Sequence, residues 1–356
     1  MEYQSHLFGY FYNQAVKQYQ LSNDNGMRVS ILELGGIIAE LEVPDRQGKL
    51  ADVVLGLDSL SCYTRDSHYF GAMIGRVANR IEGARFELNG QQVKVDANAH
   101  EGRHCVHGGR FGYHRRIWRM TDIRRGPGII ELTLHLRDGD GEEGFNHDVD
   151  VYATYRLDNR NRLTLEYRAS ANGPTPISLT AHSYFNLFGH QHGSIADHEL
   201  TLYAQRMLAQ KEDRVPSGEI VDIRGSEFDY GRARSLADCV GQGLAINHSF
   251  VPESAMATLT TASASDPLTQ GLTKMAQLKG GGRRLRLYSN ADTLHFYNGH
   301  NLDGVKGKCG TRYEQFAGLC LEPKGYVNAI NQPKFPCAII KPGQEYHHRI
   351  VYDFSQ

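Results

Sequence analysis

Proton-transfer chemistry needs an acid and a base held near one another, and two stretches of this sequence offer them. In LTAHSYFNL, residues 179–187, a histidine stands among apolar and small polar residues. In GLCLEPK, residues 318–324, Glu322 ends an apolar run. A carboxylate in such a place is either paired with a cation or perturbed in its ionisation. If 179–187 is one strand, His182, Tyr184 and Asn186 share a face, and Ser183, Phe185 and Leu187 share the other. A polar stripe over an apolar one suits a cleft wall, although an ordinary half-exposed strand reads the same way.

Two further clusters carry polar groups at turns. GRVANRI, residues 75–81, offers Arg and Asn donors for a polyhydroxyl ligand, and equally describes a strand end with solvated arginines. HCVHGG, residues 104–109, invites a metal reading. Its spacing matches no common zinc pattern, and no CxxC or HxxxH partner stretch occurs, so no metal is expected. His107 before two glycines can instead sit at a tight turn facing a cleft, or merely satisfy a turn carbonyl.

The elements that must position these groups are strands. Ile130, Leu132, Leu134 and Leu136 alternate with polar residues, as do Val149, Val151, Ala153, Tyr155 and Leu157. The pattern resumes at Leu163, Leu165 and Tyr167 after a turn at 158–161. Phe86 and Leu88, then Asn89-Gly90, then Val93 and Val95 predict a hairpin, since Asn-Gly suits the positive φ angles of a type I′ turn. Leu285 and Leu287, followed by Leu294 and Phe296, predict another strand pair. Long helical periodicity is missing; only 235–244 and parts of 57–65 read as briefly helical. The fold expected is all-β, with antiparallel sheets packed on one face.

Composition bounds the partners. Of 356 residues, 39 are basic and 40 acidic, for a formal net charge of −1. No basic excess points to nucleic acid and no basic amphipathic run points to a membrane. Apolar runs fall well short of the roughly 18–20 residues a membrane helix needs. The N-terminal stretch does not read as a signal peptide. Six scattered cysteines (62, 105, 239, 309, 320, 337) suggest free thiols and a cytoplasmic setting. No linker divides the chain, so one domain over 1–356 is expected. The Ala/Ser/Thr-rich stretch running into LKGGG, within 255–282, reads as a surface insertion.

The clusters gain force together. GRVANRI at 75–81, HGG at 107–109, Trp118, HSYFNL at 182–187, SGE at 217–219, EFDY at 227–230, FYNG at 296–299, GLCLEP at 318–323, NQPKFP at 331–336 and PGQEY at 342–346 stand in an order and spacing that resemble the aldose 1-epimerase, or galactose mutarotase, family over nearly the whole chain. The resemblance implies a large antiparallel β-sandwich of curved sheets, the mutarotase-like supersandwich, with an open sugar cleft and no metal or organic cofactor. It implies anomer exchange by ring opening, with Glu322 as general base and His182 as general acid. His107 would stabilise developing charge, and Asn79, Arg80, Ser183 and Tyr184 would contact the sugar. The substrate expected is a monosaccharide, or a disaccharide, and the assembly a monomer or weak homodimer.

Departures from the family pattern cluster around the substrate. Asn247, in INHSF, stands where an Asp is usual; His295 stands where a Gln is usual; and Pro323-Lys324 follow Glu322 in place of Thr-Gln. Asn247 and His295 remain candidate substrate contacts, and another sugar, or relaxed selectivity, is expected. A sugar-binding or regulatory protein without turnover is the alternative, against which stands the presence of both Glu322 and His182. A retaining hydrolase would normally need two carboxylates at the bond, and only Glu322 is well placed.

Overall fold

The computed structural model describes residues 1–253, 266 and 268–355. Strands dominate it, and every pairing between its named strands is antiparallel. A nine-stranded sheet runs Arg119–Gly126, Ile129–Asp138, Val149–Asp158, Arg162–Ala171, Glu345–Asp353, Arg283–Ser289, Thr273–Gly280, Glu199–Leu202 and Arg234–Ser235. A six-stranded sheet runs Tyr184–Phe185, Leu319–Lys324, Thr293–Tyr297, Asn247–Pro252, Ala204–Gln210 and Pro216–Asp222. A five-stranded sheet collects Glu2–Phe11 to Leu50–Asp52 in chain order.

Period-two alternation builds the core. Leu132, Leu134, Val151, Ala153, Tyr155, Leu163 and Leu165 from the nine-stranded sheet pack in one apolar cluster with Leu294, Phe296, Leu319, Leu321 and Phe250 from the six-stranded sheet. That cluster draws residues from Tyr19 to Phe354. Because successive side chains on a strand point to opposite faces, the partners of those core residues on the six-stranded sheet are turned to its other side. Glu322, His295, Ser249 and Tyr297 are among them, and that face becomes the cleft.

Several expectations hold locally. Arg85–Leu88 and Gln91–Lys94 form the hairpin, with Asn89 at φ 53° and Gly90 at φ 76°, both left-handed as a type I′ turn requires. The brief helices are Leu60–Tyr63 and Ala237–Gly241. Leu285/Leu287 and Leu294/Phe296 do lie on strands, but not on a pair. Arg283–Ser289 bonds to Thr273–Gly280 and Glu345–Asp353, while Thr293–Tyr297 crosses into the six-stranded sheet. Residues 290–292 are a connection between layers and not a hairpin turn.

Of the stretch 255–282 read as an insertion, residues 255–265 and 267 lie outside the described residues. Its last third is a strand, Thr273–Gly280, that buries Met275, Ala276 and Leu278 in the main core. No helix among the described residues is long and apolar enough to cross a membrane.

Candidate active site

Cross-strand register assembles the first part of the site. His295 lies directly opposite both Glu322 and Ser249, so three neighbouring strands place one polar row on the cleft face. Glu322 is 1 % exposed, and Lys324, two residues on and on the same face, is fully buried. The Lys324 ammonium stands 3.8 Å from Glu322 Oε2. Neither Glu322 Oε2 nor Lys324 Nζ has a hydrogen-bond partner. Burial is the main reason the Lys324 ammonium is held down to about 8, and the nearby Glu322 charge opposes that shift.

His182 comes from a break. The chain pairs at Thr180–Ala181 with Met73–Ile74, and again at Tyr184–Phe185 with Leu319–Lys324, while the His182 N–H donates to Ala72 O at 2.9 Å between the two. His182 Nε2 lies 3.5 Å from Glu322 Oε1. Its Nδ1 faces the Cys320 thiol at 3.5 Å. Burial pushes that thiol well up, so it stays protonated and can donate to Nδ1, leaving the exchangeable proton of His182 at Nε2.

The break alters the one-strand reading of 179–187 at Asn186, while Ser183 lies away from the His182 face as that reading has it, and not against the sugar as the resemblance implies. Ser183 is 1 % exposed, does not line the cleft, and its hydroxyl has no protein partner. It is not placed to touch a ligand. Asn186 is turned away too, its amide donating to Ala317 O at 2.9 Å. Tyr184 does line the cleft; its hydroxyl donates to His68 O at 3.0 Å.

Two turns close the opposite wall. Asn79 and His107 exchange hydrogen bonds: Asn79 N donates to His107 Nδ1 at 3.2 Å, and His107 N donates to Asn79 O at 2.8 Å. Gly108 follows at φ 80°, where a Cβ would fall 2.0 Å from Gly75 O, so glycine alone allows the two motifs to meet this closely. His107 is held well below the ordinary histidine range, first by burial and then by the neighbouring His182 and Arg80 charges. It is therefore neutral, and with Nδ1 accepting, its proton sits on Nε2. Arg80 donates through Nη1 to Asn79 Oδ1 at 3.1 Å, and its buried Nε has no partner.

Two of the departures from the family pattern, Asn247 and His295, prove to be one local unit. His295 Nε2 lies 2.7 Å from Asn247 Oδ1, and its Nδ1 lies 2.9 Å from Ser249 Oγ. Burial, and then the cations Lys324 and Arg80, keep His295 neutral. Its one proton thus goes to Asn247 Oδ1 while the Ser249 hydroxyl donates to Nδ1.

These groups line a cavity of about 300 Å³, which holds Asn79, Arg80, His107, His182, Tyr184, Asn247, His295 and Glu322 together. Tyr69, Arg214 and Tyr297 line it as well and were not predicted. Tyr69 packs its ring against His107, His114 and His182, with centroids 4.6, 4.7 and 5.7 Å away. Tyr69, Asn79, His107 and Arg214 all have left-handed backbone, at φ 61°, 64°, 54° and 64°. Such conformations cost about 1–3 kcal/mol each and gather at functional sites. A larger cavity of about 580 Å³, walled by Ile177, Tyr326, Ile339 and Tyr346, contains neither Glu322 nor His182.

The histidines and cysteine of 104–109 point to different partners. His104 Nδ1 accepts from Gly83 N and its Nε2 meets Asp213, so it does not converge with Cys105 and His107. Among the described residues, His182, Cys320 and Glu322 are the group whose donor atoms lie within 4.8 Å of one another. Their surroundings disfavour a cation, since the thiol is held protonated and the Lys324 ammonium stands beside the carboxylate.

Comparison with known proteins gives a consistent picture. The family description "Aldose 1-epimerase" matches residues 17–353. Galactose mutarotase of Sus scrofa is 38% identical over 344 residues, 96% of this chain and 94% of that protein. Galactose mutarotase of Homo sapiens is 36% identical over the same shares. Among solved structures, the GalM/aldose epimerase homologue from C. elegans superposes with a TM-score of 0.82 at 27% identity, covering 95% of this chain and 98% of that one. Galactose 1-epimerase from Lactobacillus acidophilus NCFM gives the same TM-score at 20% identity, a likeness of fold.

Proposed function

This chain belongs to the aldose 1-epimerase family and is a sugar mutarotase that interconverts α and β anomers, and we propose that it does so with Glu322 as general base and His182 as general acid. Ring opening takes a proton from the C1 hydroxyl and gives one to the ring oxygen. Both oxygens are bonded to C1, so the base and the acid must approach to within a few ångströms of each other. The observation that carries the assignment is the 3.5 Å separation of His182 Nε2 and Glu322 Oε1 at the floor of the cleft.

In this reading Glu322 accepts the hydroxyl proton while His182 protonates the ring oxygen. Rotation about C1–C2 presents the other face of the aldehyde, and the two groups then reverse roles for closure. Neutral His107 donates a hydrogen bond from Nε2–H, keeping its proton, to the oxygen on which charge develops. Asn79, Arg80, Tyr184, Asn247 and His295 hold the remainder of the sugar. Proton transfer of this kind calls on no cofactor. Ser183 has no part in it.

The substrate is a sugar; a monosaccharide or small disaccharide suits the cavity size. A single working domain is supported by one apolar cluster drawing on residues from Tyr19 to Phe354. A cytoplasmic protein acting as a monomer or weak homodimer remains our expectation, supported for the compartment by six free cysteines.

Polarimetry on freshly dissolved α-sugars tests the assignment. Glu322→Gln and His182→Asn are each expected to lower the rate by at least about a hundredfold with the fold intact by circular dichroism. Near wild-type turnover in either folded variant would remove that residue from the mechanism.

A further inference from the structure

We propose that the cleft is built for an aldose bearing an anionic group, a carboxylate or a phosphate remote from C1, gripped between Arg80 and Arg214. The proposal rests on the mutarotase reading above and names the substrate class of the same site.

Charge accounting within the cleft is the first observation. Arg80 and Arg214 both line it, and Glu322 is the one carboxylate among its lining residues. That carboxylate already faces Lys324 and His182. Neither guanidinium makes an ion pair within 4 Å among the described residues, although the Asp213 and Glu322 charges act on Arg80 from farther off. The two guanidinium groups also act on each other: after burial, the Arg214 charge is the next largest influence lowering Arg80, which falls to about 10, while the Asp213 and Glu322 charges oppose that shift. A fold that keeps two like charges at one partly buried wall gains when an anion bridges them.

The nearby carboxylates are bonded directly to other groups. Asp213, the residue before Arg214, accepts from Val215 N at 3.2 Å and meets His104 Nε2 at 3.1 Å. Glu82, two residues after Arg80, accepts from Lys211 and from the Asn328 amide. Arg80 keeps a buried Nε with no partner. Arg214 lines the cleft and pairs with no carboxylate among the described residues.

The third observation is the polarity of Asn247. Its Oδ1 is tied to His295, so the group it retains for the cleft is the amide NH₂, a donor. Together with the Nε2 proton of His107, the sugar-binding wall presents donors to its ligand and few acceptors. A neutral sugar answers each donor with a hydroxyl that must also find an acceptor. A carboxylate or phosphate is acceptor-only when ionised, and it matches the planar guanidinium fork with two parallel bonds.

The test compares kcat/KM for galacturonate and glucuronate, galactose 6-phosphate and glucose 6-phosphate, and the neutral parents galactose and glucose, in low-salt buffer. We expect at least one anionic class to exceed its neutral parent by at least about tenfold, and the advantage to shrink as salt is raised. Which class leads identifies the group as carboxylate or phosphate. In Arg214→Met the anionic-to-neutral ratio should fall by about tenfold or more, and Arg214→Lys should restore part of it. The wild-type ranking stands alone if a variant fails to fold. Neutral parents outranking both anionic classes, or a ratio unmoved in folded Arg214→Met, would overturn the inference while leaving mutarotation in place. Turnover of none of these sugars would instead bring down the mutarotase reading itself, and this inference with it.

Discussion

The motif at 75–81 sends its two arginines into opposite kinds of environment. Arg76 is buried against Asp138, with Nε donating at 2.8 Å and Nη2 at 2.7 Å from the same carboxylate oxygen. Its Nη1 donates to Asn146 O at 2.7 Å and Thr175 Oγ1 at 3.0 Å. Tyr113 adds a hydroxyl bond to Asp138 at 3.0 Å. Four residues on, Arg80 faces the cleft with a partnerless Nε, beside an equally unpartnered Glu322 Oε2 and Lys324 Nζ. Both places bury charge at comparable depth. One neutralises its charge in a direct ion pair and satisfies most of its donors internally, with Arg76 Nη2 held by proximity to Asp138 without a well-aligned bond. The other leaves its polar groups open, which costs stability and creates the capacity to bind and transfer protons.

Breaking the closed cluster should have the largest effect. Arg76→Met leaves Asp138 buried with only the partly exposed Arg116, 3.5 Å away, as a counter-charge, and it should lower stability by about 3–5 kcal/mol in urea denaturation. Activity per folded molecule should stay within a few-fold. If stability hardly moves, the contrast between the two clusters is wrong.

Lys324 gives the open cluster a pH signature. Its ammonium titrates near 8 in the folded protein and at the ordinary value of 10.5 when unfolded. Below pH 8 both states hold the proton and this group contributes no slope. Between the two values the unfolded chain binds more protons, so stability from this residue rises with pH. Relative to Lys324→Gln, the wild type should gain, by up to about 3 kcal/mol, as matched denaturation curves move from pH 7 to pH 10. A constant difference would mean that the ammonium is not titrating in that range.

A gentler change sharpens the view of the ligand wall. Asn247→Asp adds a second carboxylate to the cleft and gives neutral sugar hydroxyls a charged acceptor. Such an acceptor contributes roughly 1.5–3 kcal/mol against about 0.5–1.5 for a neutral one. We expect galactose not to rank first among sugars for the wild type, and its kcat/KM relative to the leading sugar to rise about tenfold in the variant. Galactose already leading in the wild type would remove this account of specificity. The smallest effect should be none at all: exhaustive EDTA treatment should leave mutarotation unchanged, because the His182, Cys320 and Glu322 donors serve proton transfer. Activity lost on chelation and restored by zinc would reassign that trio as a metal site.

Much of the scaffold was legible from period two alone. Ile130 to Leu136 and Val149 to Leu157 fall in the core as their alternation requires, because one face of each strand must leave water. Where alternation misled, the cause was pairing over distance. Leu285 and Leu294 are close in sequence, yet their strands sit in different sheets, a choice made by neighbours around residues 247, 319 and 345. Alternation put Ser183 on the face away from His182, where it lies; its expected sugar contact came from the family resemblance alone, whereas Asn186 left the His182 face because the strand is interrupted between Ala181 and Tyr184. Tyr69 and Arg214 carried no sign at all, since neither residue type ordinarily favours left-handed backbone. Tyr297 stood within the FYNG motif and shared the parity of His295, so that signal was present.

The sequence by itself determined the strand-rich class and, through the order and spacing of its motifs, the family and the residue types available for acid and base. Local patterns suffice for this because side-chain alternation and turn geometry are set within a few residues. Only the tertiary structure decided that His182 meets Glu322, that Asn247 and His295 act as one hydrogen-bonded unit, and that Arg76 is sealed while Arg80 is left open. Those outcomes depend on which distant segments pack together, and a charge becomes structural or functional according to whether its neighbours complete its hydrogen bonds or leave them for a ligand.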